Sequence, residues 1–205
     1  ACEPEIEDLA TFLKSCGAEI EGAGSSVIKI KGVKRLSGTR HKVISDRIEG
    51  GTLMLAAAVP RGSLFLRGGV FAHMESFLMA LSLCGCSVTV YNDGIEVKAQ
   101  NRLSSLEKLA TAPHPGFPTD MQPQMTALLC LAEGTSYINE SIYENRFRYV
   151  EELKRMGARI KVDGRIVVIE GAAPLSPAPV IATDLRGGVA VLIAALTCKG
   201  KTDIS

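Results

Sequence analysis

Two stretches of this chain, Leu53 to Val59 and Val189 to Leu196, run almost without a polar position. Helices of that kind are buried on every side rather than laid on a surface. A third apolar run, Met125 to Ala132, follows Thr119-Asp120 and Pro123. Proline is tolerated in a first helical turn, where its missing N–H has no partner to lose. Other stretches alternate. Tyr137 to Tyr143 has the period of a half-buried strand, while Val150, Leu153 and Met156 fall at helical spacing among Glu151, Glu152, Lys154 and Arg155, as in a helix with one wet face.

The pattern recurs. A hydroxyl residue and an aspartate open each apolar run, at Ser45-Asp46, Thr119-Asp120 and Thr183-Asp184, and a turn glycine follows each at Gly62, Gly134 and Gly200. A second marker keeps the same phase: Cys16-Gly17, Cys84-Gly85 and Met156-Gly157, each with a leucine three residues before its cysteine or methionine. Two markers in phase indicate a repeated fold. Each unit is expected to hold an apolar helix, a strand, an amphipathic helix and a hairpin. The helices are expected at Glu5–Cys16, Ser45–Val59, Met74–Cys84 and Phe147–Met156. The hairpins are expected at Cys86–Lys98, turning at Asn92-Asp93-Gly94, and at Ala158–Glu170, turning at Asp163-Gly164. Ser45 is expected to cap its helix, and Thr119 to form a capping box with Gln122. The fold class is therefore α/β (α+β), made of repeated β-α-β-α-β-β units with parallel buried helices whose N-termini emerge on one face. Such termini attract anions.

Composition narrows the function classes. The 205 residues have a net charge of +1, 46% hydrophobic and 22% charged residues, few aromatics and no tryptophan. Neither a nucleic-acid surface nor base-stacking platforms are expected. No apolar run of about 18 residues suggests a membrane span, and no signal peptide is expected. The six cysteines are placed as small core residues and lack metal-ligand spacing, so free thiols and a cytoplasmic setting are expected, with no metal and no cofactor. Starting at Ala1 and stopping after Lys201-Thr-Asp-Ile-Ser205, the chain reads as a fragment. Bared strand edges and apolar surface lead to an expectation of self-association.

The motifs Ala112-Pro-His-Pro-Gly-Phe-Pro-Thr-Asp120-Met-Gln122, Glu144-Asn-Arg-Phe147, Arg155-Met-Gly-Ala158 and Ala182-Thr-Asp-Leu-Arg186 are long and ordered. With Glu3-Pro-Glu-Ile6 and Asp46-Arg-Ile-Glu49, they closely resemble the UDP-N-acetylglucosamine 1-carboxyvinyltransferases, the enolpyruvyl transferases that open peptidoglycan synthesis. The resemblance spans essentially the whole chain and about half of a full-length member. It implies an inside-out α/β barrel architecture of two lobes with three units each. Residues 1–45 would end the first lobe; residues 46–205 would make most of the second, its last unit incomplete. It implies transfer of enolpyruvyl from phosphoenolpyruvate to the 3-hydroxyl of UDP-N-acetylglucosamine. Such a transfer needs a base at the hydroxyl, an acid at the enol methylene, and cations for phosphate and carboxylate. The family's acid cysteine loop, its early Lys-Asn pair and its late arginine have no counterpart here, so the chain alone is not expected to turn over substrate.

By the same resemblance Asp120 meets the sugar hydroxyl as base or acceptor, although a first-turn aspartate also satisfies a helix dipole. Arg186 binds phosphoenolpyruvate, with Asp184 orienting it through an ion pair. An arginine at a helix start is electrostatically unfavourable unless an anion is present. Ile142 contacts the nucleotide sugar through its backbone, and Thr119 is a cap and a neighbour of the site. Arg146 and Arg47 lie near the cleft between lobes, equally open to ligand contact or ion pairing. Glu3 and Glu5 lie near the hinge, and His114 stiffens a loop between Pro113 and Pro115. Gly187-Gly188 stands where family members have Ala-Ser. Two other readings remain at this point: a noncatalytic binding or scaffold module of the same fold, and the sister enzyme acting on shikimate 3-phosphate.

Overall fold

The computed structural model describes residues 1–99 and 102–205. Helix α1 (Pro4–Ser15) and a short antiparallel pair, β1 (Glu19–Glu21) and β2 (Lys29–Lys31), come first. The next unit runs α2 (Arg47–Ala58), β3 (Ser63–Arg67), α3 (Phe71–Leu83), β4 (Cys86–Tyr91) and β5 (Gly94–Ala99). Its strands form an antiparallel sheet in the order β3-β5-β4. The following unit runs β6 (Leu109–Ala110), a 3-10 turn at Thr119–Met121, α4 (Gln122–Leu131), β7 (Thr135–Asn139), a second 3-10 turn at Arg146–Tyr149, α5 (Val150–Arg155), β8 (Arg159–Asp163) and β9 (Ile166–Glu170). Here the order is β6-β7-β9-β8, with β6 parallel to β7 across the α4 crossover. The last helix, α6 (Leu185–Ala195), repeats that crossover in outline: Val180 before it bridges Ile204 after it, again in parallel.

Both expected markers have a backbone cause. Gly17, Gly85 and Gly157 each take a left-handed conformation after an outer helix, with φ of 99°, 88° and 98°. The amides of Ala18 and Ala158 then reach back to the carbonyls of Leu13 and Leu153, each at 3.0 Å. This is the Schellman closure, which consumes carbonyls that a helix end leaves unpaired. Two of the three aspartates at the other marker cap directly. Asp46 accepts from the amides of Ile48 (2.7 Å) and Glu49 (3.0 Å), and Asp184 accepts from that of Gly187 (2.8 Å). The cap of α2 is thus Asp46 rather than the expected Ser45, because the carboxylate reaches two donors at once.

The core lies between the helices and the inner sheet faces. Every residue from Gln122 to Cys130 is buried, so α4 is the enclosed rod that its sequence suggested. Helices α2 and α6 flank it and are less enclosed than expected: Leu53, Leu185, Leu192 and Leu196 remain exposed. The sheets stay separate, and among the described residues no barrel closes. At Gly187 of α6 an added Cβ would lie 2.9 Å from Cβ of Tyr149. A bare glycine therefore lets α6 approach the second 3-10 turn.

Three local expectations change. The strand expected over Tyr137–Tyr143 ends at Asn139, because the next side chain, Glu140, takes the amides of Ile142 and Tyr143 out of the ladder. The helix expected from Phe147 begins with a 3-10 turn entered through Asn145 at φ 58°. In that tighter turn residues three apart eclipse, which places Arg146 and Tyr149 together on the buried side. The capping box does not form. The Thr119 hydroxyl donates to Glu140, and the Gln122 amide donates inward to the Tyr149 hydroxyl at 2.8 Å. Tyr149 in turn bonds Thr126 (2.8 Å), which donates to the Gln122 carbonyl (3.0 Å).

This closed polar ring is fully buried, and burial drives the Tyr149 hydroxyl pKa up. Its removal leaves Gln122 and Thr126 short of a partner where no water replaces it. Tyr149→Phe is expected to cost about 1–3 kcal/mol, read as a lowered midpoint at unchanged slope in urea unfolding. An unchanged midpoint would show that the ring contributes nothing net.

Candidate functional site

The 3-10 turn at Thr119–Met121 decides the fate of Asp120. In the other two units the matching aspartate is consumed as a cap. Here the extra turn lifts Asp120 off the amides of α4 and holds it beside two guanidinium groups. Arg146 Nη2 donates to its Oδ1 and Arg186 Nη2 to its Oδ2, both at 2.8 Å. One arginine comes from the second 3-10 turn and the other from the start of α6. The common rim expected from parallel helices is therefore present, with Asp120 at its centre.

The two arginines differ. The Arg146 side chain is only 9% exposed. Its Nε donates to the Thr119 hydroxyl (3.2 Å), and its guanidinium lies 4.4 Å from the Tyr143 ring centroid. A charge so desolvated needs its partners, since breaking such a pair costs about 3–5 kcal/mol. Arg146 is therefore the internal strut that fixes Asp120. Arg186 is 28% exposed and lines the open side, as does Asp120 at 40%. A carboxylate has about four acceptor positions, so Asp120 keeps lone pairs for a ligand hydroxyl after both contacts. The Arg186 group keeps further N–H donors for an anion.

The rim opens on a cleft of about 960 Å³ lined on one side by Thr119, Asp120, Ile142 and Arg186, and on the other by α1 and the segment leading into α2. That size suits a nucleotide-sized ligand. Ile142 is exposed on the cleft wall, and its amide is held by Glu140. Arg47 lines the cleft but is occupied: its Nε donates to Glu5 at 2.8 Å, joining α1 to the start of α2. Glu3 also lines the cleft. His114 does too; its pKa is lowered by partial burial first and by the Arg47 charge second.

Asp184 departs from expectation. Its carboxylate is committed to the Gly187 amide, and Arg186 pairs with Asp120 instead. The physical reason is geometric: a cap aspartate points along its own helix axis, while Arg186 in the first turn projects across to the neighbouring rim. Three of the buried thiols are ill suited to acid–base work. Burial pushes Cys84 up to about 12, Cys86 to about 11 and Cys130 to about 12.

Sequence reasoning missed Glu140 and the His41–Asp8 pair. Glu140 is 1% exposed and accepts from Thr111 Oγ1 (2.7 Å), Thr119 Oγ1 (3.0 Å) and the amides of Ile142 (2.9 Å) and Tyr143 (3.0 Å). The signal for it was a glutamate between strand-like residues, which alternation alone assigned to a sheet face. His41 Nε2 lies 2.9 Å from Asp8 Oδ1, tying the segment before α2 to α1.

Similarity to known proteins runs the whole length of the chain. The family model described as EPSP synthase (3-phosphoshikimate 1-carboxyvinyltransferase) matches residues 1–205. UDP-N-acetylglucosamine 1-carboxyvinyltransferase 2 of Caldanaerobacter subterraneus is 48% identical over 202 residues, covering 98% of this chain and 48% of that protein. UDP-N-acetylglucosamine 1-carboxyvinyltransferase 1 of Staphylococcus aureus is 46% identical over 205 residues, covering all of this chain and 48% of its own length. The chain thus spans about half the length of the curated relatives it matches. Among solved structures, the enolpyruvyl transferase NikO from Streptomyces tendae superposes with a TM-score of 0.82 at 29% identity, covering 98% of this chain and 48% of the other. EPSP synthase from Acinetobacter baumannii shares the fold, with a TM-score of 0.73 at 19% identity, over 95% of this chain and 49% of its own. With the family model matched from end to end, this chain belongs to the EPSP synthase (3-phosphoshikimate 1-carboxyvinyltransferase) family, the enolpyruvyl transferases.

Proposed function

We propose that this chain carries the sugar-hydroxyl side of an enolpyruvyl transferase site, for transfer of enolpyruvyl from phosphoenolpyruvate to the 3-hydroxyl of UDP-N-acetylglucosamine in peptidoglycan synthesis. The observation that carries the reading is the Asp120 carboxylate held between Arg146 and Arg186 on the cleft wall. The names of relatives at 46–48% identity favour the sugar nucleotide over shikimate 3-phosphate. Asp120 accepts the hydroxyl hydrogen bond and, as the oxygen attacks, its proton. Arg186 turns its free donors to the anionic substrate, as arginine does for carboxylate and phosphate. The Ile142 backbone meets the nucleotide sugar, Thr119 supports the turn beneath Asp120, and Asp184 holds the start of α6 in place for Arg186. Arg47 braces the cleft through Glu5.

In this reading residues 1–45 finish a first lobe and residues 46–205 make most of a second, with α1 forming the far wall of the cleft. The remaining cations and the proton donor for the methylene come from the other half of the full-length chain. Among the described residues no helix is long and apolar enough to cross a membrane, and six free cysteines suit a cytoplasmic setting.

Phosphate release by the full-length chain, given phosphoenolpyruvate and the sugar nucleotide, tests the reading. Asp120→Asn keeps the shape of the side chain and is expected to lower kcat roughly 10²- to 10⁴-fold, the usual contribution of a positioned base. Arg186→Ala is expected to raise KM for phosphoenolpyruvate and lower kcat, leaving KM for the sugar nucleotide nearly unchanged. Full activity in Asp120→Asn would remove the base assignment, and turnover with shikimate 3-phosphate in place of the sugar would redirect the substrate.

The isolated 205-residue chain is proposed to self-associate through the open apolar side of α2 and α6, where Leu53, Leu185, Leu192 and Leu196 are exposed. Sedimentation velocity is expected to show a concentration-dependent rise in mass; a monomer at every concentration would contradict it.

A further inference from the structure

The reactive rim is built from two pieces that are distant in sequence, the Thr119–Met121 turn bearing Asp120 and the Glu140–Tyr143 turn bearing Ile142. Their relative position has to be set by something, and both converge on one buried side chain. We infer that Glu140 is the positioning residue of the site, fixing Asp120 and the Ile142 backbone in a single frame. The inference rests on the function proposed above.

Its two oxygens do different work. Oε1 receives three donors: the Thr111 hydroxyl at the end of β6, and the amides of Ile142 and Tyr143. That oxygen folds the turn on which Ile142 sits and pins it to the sheet. The Ser141 amide adds to this by donating to Thr111 Oγ1 at 2.9 Å. Oε2 receives only the Thr119 hydroxyl, at 3.0 Å. With its proton so directed, the Thr119 oxygen is left as an acceptor for Arg146 Nε at 3.2 Å. Arg146 then reaches Asp120 Oδ1 through Nη2. A chain of hydrogen bonds therefore runs from Glu140 through Thr119 and Arg146 to Asp120, with each donor and acceptor role dictated by the one before. Glu140 is 1% exposed, so water does not substitute for either oxygen, and it holds two cleft-lining residues without lining the cleft itself.

The asymmetry gives a specific test in the full-length chain. In Glu140→Gln the amide oxygen takes the crowded Oε1 place, because an NH2 there would face three donors. The NH2 falls at the Oε2 place and donates to the Thr119 oxygen, so the Thr119 proton loses its acceptor and that oxygen must serve both the new NH2 and Arg146 Nε. The Ile142 turn survives and the Asp120 arm loosens. The expected result is a fall in kcat of roughly 10- to 100-fold, as for a reacting group displaced by about an ångström, with KM for UDP-N-acetylglucosamine nearly unchanged. Glu140→Ala releases both turns and is expected to raise that KM as well. Thr119→Val interrupts the same arm, so its loss should not multiply with that of Glu140→Gln in a double-mutant cycle, while Thr119→Ser restores activity.

Wild-type kcat in a folded Glu140→Gln, or losses that multiply in the double variant, would overturn the inference. If Glu140→Gln fails to fold, as thermal unfolding would show, the Thr119 pair decides: wild-type kcat in Thr119→Val overturns it, and a fall rescued by Thr119→Ser upholds it. A wild-type chain that releases no phosphate removes the functional reading and this inference together. An active wild type with an indifferent Glu140→Gln removes only the latter.

Discussion

A single carboxylate shared by two guanidinium groups is the constraint around which this structure is organised. Asp120 joins three elements that are far apart in sequence: the start of α4, the turn before α5 and the start of α6. The arrangement answers a problem created by the fold itself. Helices α2, α4 and α6 begin beside one rim and bring positive dipole ends to it, and Arg146 and Arg186 add two further cations there. Without a fixed negative group the rim would repel its own components. Asp120 balances them, and because Arg186 stays partly exposed the balance can be shared with an incoming anion.

The repeat explains how such a group arises. Two of three equivalent aspartates, Asp46 and Asp184, satisfy amides of their own helices. The third is displaced by one tight turn and turned outward. The displacement leaves the start of α4 without a side-chain cap. The loss is offset by the buried ring of Gln122, Thr126 and Tyr149 just inside and by Glu140 just beside. The structural cost of the displaced aspartate is thus covered by polar groups that sit in the interior.

The sequence was most informative where the physics is local. Turn glycines such as Gly85 and Gly157 must take left-handed backbone, and apolar runs such as Met125 to Ala132 must be covered, so the units and the burial of α4 were legible. The motifs also named Asp120 and Arg186 as neighbours of one site. What the sequence concealed is what depends on competition between partners. Nothing local says that Thr119 prefers Glu140 to the amides of α4, that Arg146 is buried, or that Arg186 chooses Asp120 over Asp184. Glu140 was hidden for the same reason: a buried carboxylate looks, in sequence, like the polar phase of an alternating strand.

The central claim is that Asp120 faces the acceptor hydroxyl while anchored by Arg146. The most direct measurement is a crystal structure of the full-length chain with UDP-N-acetylglucosamine bound. The expected result places the sugar 3-hydroxyl within hydrogen-bond distance of Asp120, with the Arg146 contact intact and the Ile142 backbone against the nucleotide sugar. A sugar bound elsewhere, or an Asp120 turned inward to cap α4, would contradict it.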